Sequence, residues 1–235
     1  MMLYVNGDSH SAGAEAVNTF AFAEDDGLYY ALGRRPHPEN LAVSWGMRLS
    51  KLMGLGFKCD AISGASNDRI IRTTNEFLDH RRSIGDPYTV IAIGWSTWER
   101  EEWWDEEERE LIQISAGIND IKPALLDRYR KWVAGLDYRA KEAESHEKIH
   151  ELHEKLRDLG IPHLFFNAMW HFSPMQAQKE WHGSYVDPYD PEMSYAEWAV
   201  RNGFGTDRLQ HFGPEAHRSW ADLLFNRLTD QLANV

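Results

Sequence analysis

The stretch Gly7-Asp8-Ser9-His10 follows the apolar run Leu3-Tyr4-Val5, and at the far end of the chain Asp207 precedes His211-Phe212-Gly213-Pro214. A hydroxyl, an imidazole and a carboxylate are the parts of acyl transfer. Serine is a poor nucleophile until a neighbouring imidazole accepts its proton, and a carboxylate fixes the imidazole's tautomer and steadies the imidazolium. Neither half suffices alone. Without its distant partners Ser9 reads as a turn residue or helix cap, Asp8 as a turn residue bonded to its own backbone, and His211 as a helix-entry residue packed near Phe212. His217, further into the same segment, reads as a packed helix residue.

Chemistry at this pair requires elements that bring the two ends together. Leu3 to Val5 predicts a first strand, Phe57 to Ile62 a second, Tyr88 to Ile93 a buried third and His163 to Phe166 a fourth. Trp45 to Met53 carries apolar residues at helical spacing before the Gly54-Leu55-Gly56 stop. Ser66 or Asn67 can cap a helix through Ile70, Ile71 and Phe77. A long helical region is expected from about Lys122 to Leu159, closed by Gly160-Ile161-Pro162. A last amphipathic helix carries Trp220, Leu223, Leu224, Leu228 and Leu232 on one face. Strands alternating with helices predict an α/β fold with a parallel sheet covered on both faces, whose carboxyl edge collects the polar residues that follow the strands. Gly7-Asp8-Ser9, Ser63-Gly64 and Gly94-Trp95-Ser96-Thr97 would converge there.

Composition bounds the partners. At 235 residues and 43% hydrophobic content the chain can bury a full core, and one domain over residues 1–235 is expected, with aromatic-rich insertions at about 95–120 and 170–203. Lys plus Arg number 25 against 37 Asp plus Glu, a formal charge of −12, which argues against nucleic acid as a partner. The single cysteine, Cys59, has no partner for an internal disulfide and reads as a buried thiol. No signal-peptide pattern opens the sequence and no apolar stretch is long enough to span a bilayer, so a soluble cytoplasmic protein with no membrane partner is expected.

In these blocks the chain resembles the SGNH (GDSL-like) hydrolases, serine esterases and acyl hydrolases on a flavodoxin-like, three-layer α/β/α sandwich. The resemblance implies that Ser9 is the nucleophile, that His211 is the general base and that Asp207 orients it. It also implies that the Ser9 and Gly64 N–H groups hold the oxyanion, with no cofactor or metal required. The chain departs from the pattern twice. The third block, usually Gly-x-Asn-Asp, reads Gly94-Trp95-Ser96-Thr97, so Ser96 stands where an asparagine would donate, with Asn67 as a substitute donor or simply a helix cap. Asp207 precedes His211 by four residues rather than three, so a loop adjusts the geometry or another acid serves. Gly64 through Arg72, with Gly94-Trp95-Ser96, is similar to a branch of these proteins found in bacteriophage genomes. A protein that keeps the fold but binds a glycan or virion partner without turnover is the alternative.

Three further features bear on substrate and metal. Trp95, Trp98 and Trp170 leave the same sheet edge as Ser9, where flat aromatics stack on sugar rings of a carbohydrate ester or form the small core of a lid. His146-Glu147-Lys148-Ile149-His150 fits the spacing of a zinc helix, with His153 extending the face. The apolar stripe Ile149, Leu152, Leu156 and Leu159 runs beside those histidines, however, and on this pattern they read as a solvated surface with no catalytic metal, adventitious metal binding there being more plausible than catalysis. The charge run from Glu99 to Glu110 reads as a solvated helical face, and Asp187-Pro188-Tyr189-Asp190-Pro191-Glu192 as a rigid turn.

Overall fold

The computed structural model describes residues 1–23, 35–85, 88–117, 121–207 and 210–233. Its strands are β1 (Met2–Gly7), β2 (Gly56–Cys59), β3 (Thr89–Trp95), β4 (Glu101–Asp105), β5 (Glu110–Ile114) and β6 (His163–Asn167). Its helices are α1 (Ser9–Ala12), α2 (Pro38–Val43), α3 (Trp45–Met53), α4 (Asn67–Ser83), α5 (Leu126–Ala134), α6 (Tyr138–Asp158), α7 (Tyr195–Arg201) and α8 (Pro214–Ala233). Four strands form one parallel sheet in the order β2-β1-β3-β6, with Gly7 opposite Gly94 in the β1–β3 ladder.

Alternation along the strands divides the core in two. Leu3, Val5, Val90, Ala92, Leu164 and Phe166 face α3 and α8, where Trp45, Leu49, Trp220, Leu224 and Leu228 are buried. Tyr4, Ile91, Ile93, Trp95 and Phe165 face α4 and α6, against Ile70, Phe77, Leu78, Ile149, Leu152 and Leu156. Each fully buried side chain of this kind contributes about 1.5–3 kcal/mol, and together they make the expected three-layer α/β/α architecture with a parallel sheet. Local signals start and stop the helices where the sequence places them. The Ser44 hydroxyl accepts from the Met47 N–H at 3.2 Å and Gly54 closes α3 at φ 65°, while the Ser66 hydroxyl accepts from the Arg69 N–H at 3.2 Å to start α4.

Two expectations fail. The acidic run after the third strand is an antiparallel hairpin, β4–β5, and not a helix. Its alternation buries Trp103 and Asp105 while Trp104 faces solvent, and the Arg128 guanidinium lies 3.9 Å from the Trp103 ring centroid. The long helical region is interrupted: α5 ends at Gly135, and the Asp137 carboxylate starts α6 by accepting from the Arg139 and Ala140 N–H groups at 3.0 and 3.1 Å. Among the described residues no helix is long and apolar enough to cross a membrane.

Candidate functional site

Ser9 opens α1 directly above the carboxyl end of β1, and two glycines make room for it. Gly7 has φ 146°, and a Cβ there would lie 2.2 Å from Ser11 Oγ and 2.6 Å from the Gly94 carbonyl. A Cβ on Gly94 would lie 2.6 Å from the same Ser11 Oγ and 2.7 Å from the Phe166 ring. The paired glycines form a notch into which Ser11 presses, and α1 seats on the sheet edge. From below, the buried Asn6 amide donates to the Ile70 carbonyl at 3.0 Å and to the Thr73 and Thr74 hydroxyls at 2.8 and 3.0 Å, tying β1 to α4.

Asp8 is fully buried and caps α1 by accepting from the His10 N–H at 3.1 Å. Its other oxygen accepts from the Ser96 hydroxyl at 3.1 Å and from Arg100 at 3.2 Å. Burial alone would raise this carboxyl; the His10 hydrogen bond and charge, with Arg100, outweigh it and hold the group down to about 2. The Ser96 hydroxyl, which also accepts from Arg100 at 2.7 Å, is therefore engaged beneath the site. Asn67 is engaged as well, donating to the Ser96 carbonyl at 3.2 Å and accepting from the Ser96 N–H at 2.9 Å. Gly64 lies in the neighbouring turn at φ 78°. Among the described residues, the N–H groups of Ser9 and Gly64 have no protein acceptor. The hairpin braces this turn, since Gln113 of β5 accepts from the Ser66 N–H at 2.8 Å.

His211 comes from the opposite end of the chain and packs on the α1 segment. Its ring centroid lies 5.5 Å from that of His10, and its Nδ1 lies 2.6 Å from the Glu15 carboxylate, three residues beyond α1. Asp207 is also present: one oxygen accepts from the His211 N–H at 2.8 Å, and the other lies 3.6 Å from Nδ1. Burial and the adjacent Asp207 carboxylate raise the Glu15 pKa, with His211 opposing them. With Nδ1 donated to Glu15, Nε2 of His211 is the nitrogen left to act as a base. Glu15 carried no sequence signal: it lies in the short turn Gly13-Ala14-Glu15-Ala16, outside any periodic segment, and at φ 58° it adopts a backbone unusual for its type.

His10 and His217 surround this group with fixed partners. His10 Nε2 donates to the Gln210 carbonyl at 3.2 Å. His217 Nδ1 accepts from the Trp45 N–H at 3.3 Å, and burial pushes that ring down to about 3, so it serves packing as expected. Trp95 is fully enclosed against Phe165, with ring centroids 5.1 Å apart. Trp98 and Trp170, by contrast, line a cavity of about 490 Å³ at the carboxyl edge of β3 and β6, with Tyr138, His171, Glu197 and Arg201.

The histidines of α6 are not the solvated face expected of them. His146 and His153 are 1% and 0% exposed, because Trp181, Phe172 and Tyr189 from the segment after β6 fold over them. Two groups of side chains among the described residues bring potential metal-ligating atoms within 4.8 Å of one another: Glu15 with Asp207 and His211, and His153 with Glu154 and His182.

A model of a family of unknown function (DUF6071) matches residues 32–190, a span that includes Gly64, Ser96 and Arg100 and excludes Ser9 and His211. No curated protein matches the sequence. Among solved structures the chain is similar to an acetyl xylan esterase (Est2A) from the rumen bacterium Butyrivibrio proteoclasticus, at 13% identity and a TM-score of 0.48, over 99% of this chain and 64% of that one. It thus spans less than two thirds of that protein's length. It is also similar to a carbohydrate esterase whose active site displays divergent catalytic and non-catalytic binding functions, at 14% identity and a TM-score of 0.45, over 97% of this chain and 68% of that one.

Proposed function

Because the chain belongs to DUF6071, a family whose description assigns no activity, the site itself has to carry the functional reading, and we propose a serine esterase of the SGNH type. The supporting observation is that His211 packs on the segment opened by Ser9, with Nδ1 held by a carboxylate at 2.6 Å and Nε2 left over. In this reading Ser9 Oγ attacks the ester carbonyl carbon while His211 Nε2 takes the hydroxyl proton. The Ser9 and Gly64 N–H groups stabilise the oxyanion, each donor contributing about 3–4 kcal/mol. Collapse of the tetrahedral intermediate expels the alcohol, protonated by His211, and leaves an acyl-serine. Water, deprotonated by the same imidazole, then releases the acid. The cavity lined by Trp98, Trp170 and Tyr138 favours a carbohydrate ester, with the Trp170 and Tyr138 rings available to a sugar while Trp98 lies buried against Phe172.

A fluorophosphonate probe should label the wild-type protein and fail on Ser9→Ala; equal labelling of both rejects the nucleophile. One observation favours a second reading, a glycan-binding protein without turnover. Ser96 and Asn67 are spent on Asp8 and on the Ser96 backbone, leaving backbone N–H groups to hold the oxyanion. That reading predicts no labelling, no acetate released from acetylated sugars or short-chain esters, and retention on an immobilised glycan.

A further inference from the structure

On the opposite edge of the sheet, hydrogen bonds fix a histidine nitrogen as a bare electron pair. His163, the first residue of β6, has Nδ1 at 2.8 Å from the Ile161 carbonyl; a carbonyl only accepts, so Nδ1 carries the proton. His163 Nε2 is then the acceptor, and His153 Nδ1 at 2.8 Å must donate to it. Nε2 of His153 is left unprotonated, fully buried, and has no hydrogen-bond partner. Both rings are buried, which disfavours the charged form. What faces this lone pair is another electron-rich atom, Glu154 Oε1, at 3.6 Å. Two acceptors that close, with no proton between them, repel unless a cation joins them.

His182 completes the group. Its ring stacks over His153 with centroids 5.8 Å apart, and its Nε2 accepts from Arg157, whose other nitrogen donates to Glu154 at 2.6 Å. The guanidinium supplies positive charge to Glu154 and His182 but makes no bond to His153. We infer that His153 Nε2, Glu154 and His182 form a site for a divalent metal of the zinc type, with Arg157 standing in the ion's place. Imidazole nitrogens and a carboxylate oxygen suit zinc at about 2.0–2.2 Å, and two atoms at that range from a tetrahedral ion stand about 3.4 Å apart, close to the His153–Glu154 spacing. The chain Ile161–His163–His153 is the outer support that orients a metal-ligating imidazole. Arg157 is partly exposed and can swing into solvent. A cavity of about 550 Å³ lined by Arg157, His163 and His182 gives the ion access. The zinc-helix spacing is not what makes this site: of its two histidines, His150 donates to the Glu180 carbonyl at 3.2 Å and His146 pairs with the Tyr189 hydroxyl at 2.9 Å.

Titration of the purified chain with zinc chloride by calorimetry, and with cobalt(II) by visible absorption, tests the site. One saturable equivalent is expected. Affinity should fall at least about tenfold in His182→Ala and in Glu154→Gln, whose side chains lie outside the core. His211→Ala, which removes the histidine of the other carboxylate group, should leave it unchanged. No saturable binding, wild-type affinity retained in both His182→Ala and Glu154→Gln, or loss only in His211→Ala would overturn the assignment. Fluorophosphonate labelling of Ser9 reports on the esterase separately, so either proposal can fail alone.

Discussion

Glu15 holds His211 at 2.6 Å from a backbone at φ 58°, a conformation that costs on the order of 1 kcal/mol or more for a residue with a side chain. Asp207, the acid the sequence offered, has one oxygen 3.6 Å from the same nitrogen and spends the other on the His211 N–H. Glu15→Gln should therefore lower kcat/KM for a short-chain ester by roughly a hundredfold or more, and Asp207→Asn by less than tenfold; the reverse order would return the role to Asp207. The stability effect runs the other way. The folded Glu15 pKa is raised, first by burial and then by Asp207, so its contribution to stability is present below the ordinary carboxylate range and lost as pH rises through the folded value. Glu15→Gln is thus expected to hold or raise Tm at pH 7 while activity falls. Asp8 has the opposite sign. Depressed to about 2, it contributes roughly 2 kcal/mol at neutral pH, present above the ordinary carboxylate value and lost as pH falls toward 2. Asp8→Asn strands Arg100 beside a neutral amide and should cost about 3–5 kcal/mol in a urea melt.

The seating of α1 depends on a missing methyl group. Gly94→Ala would place its Cβ 2.6 Å from Ser11 Oγ and 2.7 Å from the Phe166 ring, so one of these two fully buried neighbours must shift. A loss of about 1–3 kcal/mol is expected, together with reduced probe labelling of Ser9 as α1 lifts. Ser11→Ala, which removes a buried hydroxyl with no hydrogen-bond partner, should be neutral or stabilising, and a large loss would refute the notch. These elements were legible to the degree that their signals are local. Trp45 to Met53 sits between Ser44 and Gly54 and matches α3 residue for residue. The run from Glu99 to Glu110 misled because its charges suggested solvent exposure. The informative pattern was the period of two that buries Trp103 and Asp105, anchored by Lys122, which pairs with Asp105 at 2.7 Å from outside the run. The Glu15–His211 contact was illegible for the same reason: it joins positions that only the closed sheet brings together.

Across the whole molecule, the α/β/α layering was readable because strand alternation and helix periodicity each name a buried face. The surroundings of the histidines were not, because what covers α6 arrives from the segment after β6. Burial there has a consequence that belongs to the fold rather than to any one site. His146, His153, His163 and His217 are each at most 2% exposed, and burial pushes them down to about 4, 3, 4 and 3. In the unfolded chain all four would titrate near 6.5. Between those values the unfolded state binds more protons than the folded one, so stability is present above about pH 6.5 and lost as pH falls toward the folded values. Each proton contributes about 1.4 kcal/mol per pH unit, so four give a slope of about 5 kcal/mol per unit near pH 5, comparable with the entire stability of an ordinary domain. Urea unfolding at pH 7, 6 and 5 should show the midpoint falling steeply below pH 6, with His217→Phe flattening the slope by about one proton in four. An ester assay over the same interval would read unfolding and any loss of catalysis together. Far-ultraviolet circular dichroism recorded beside the ester assay separates the two, and a midpoint independent of pH between 7 and 5 would mean that these rings meet water in the native state.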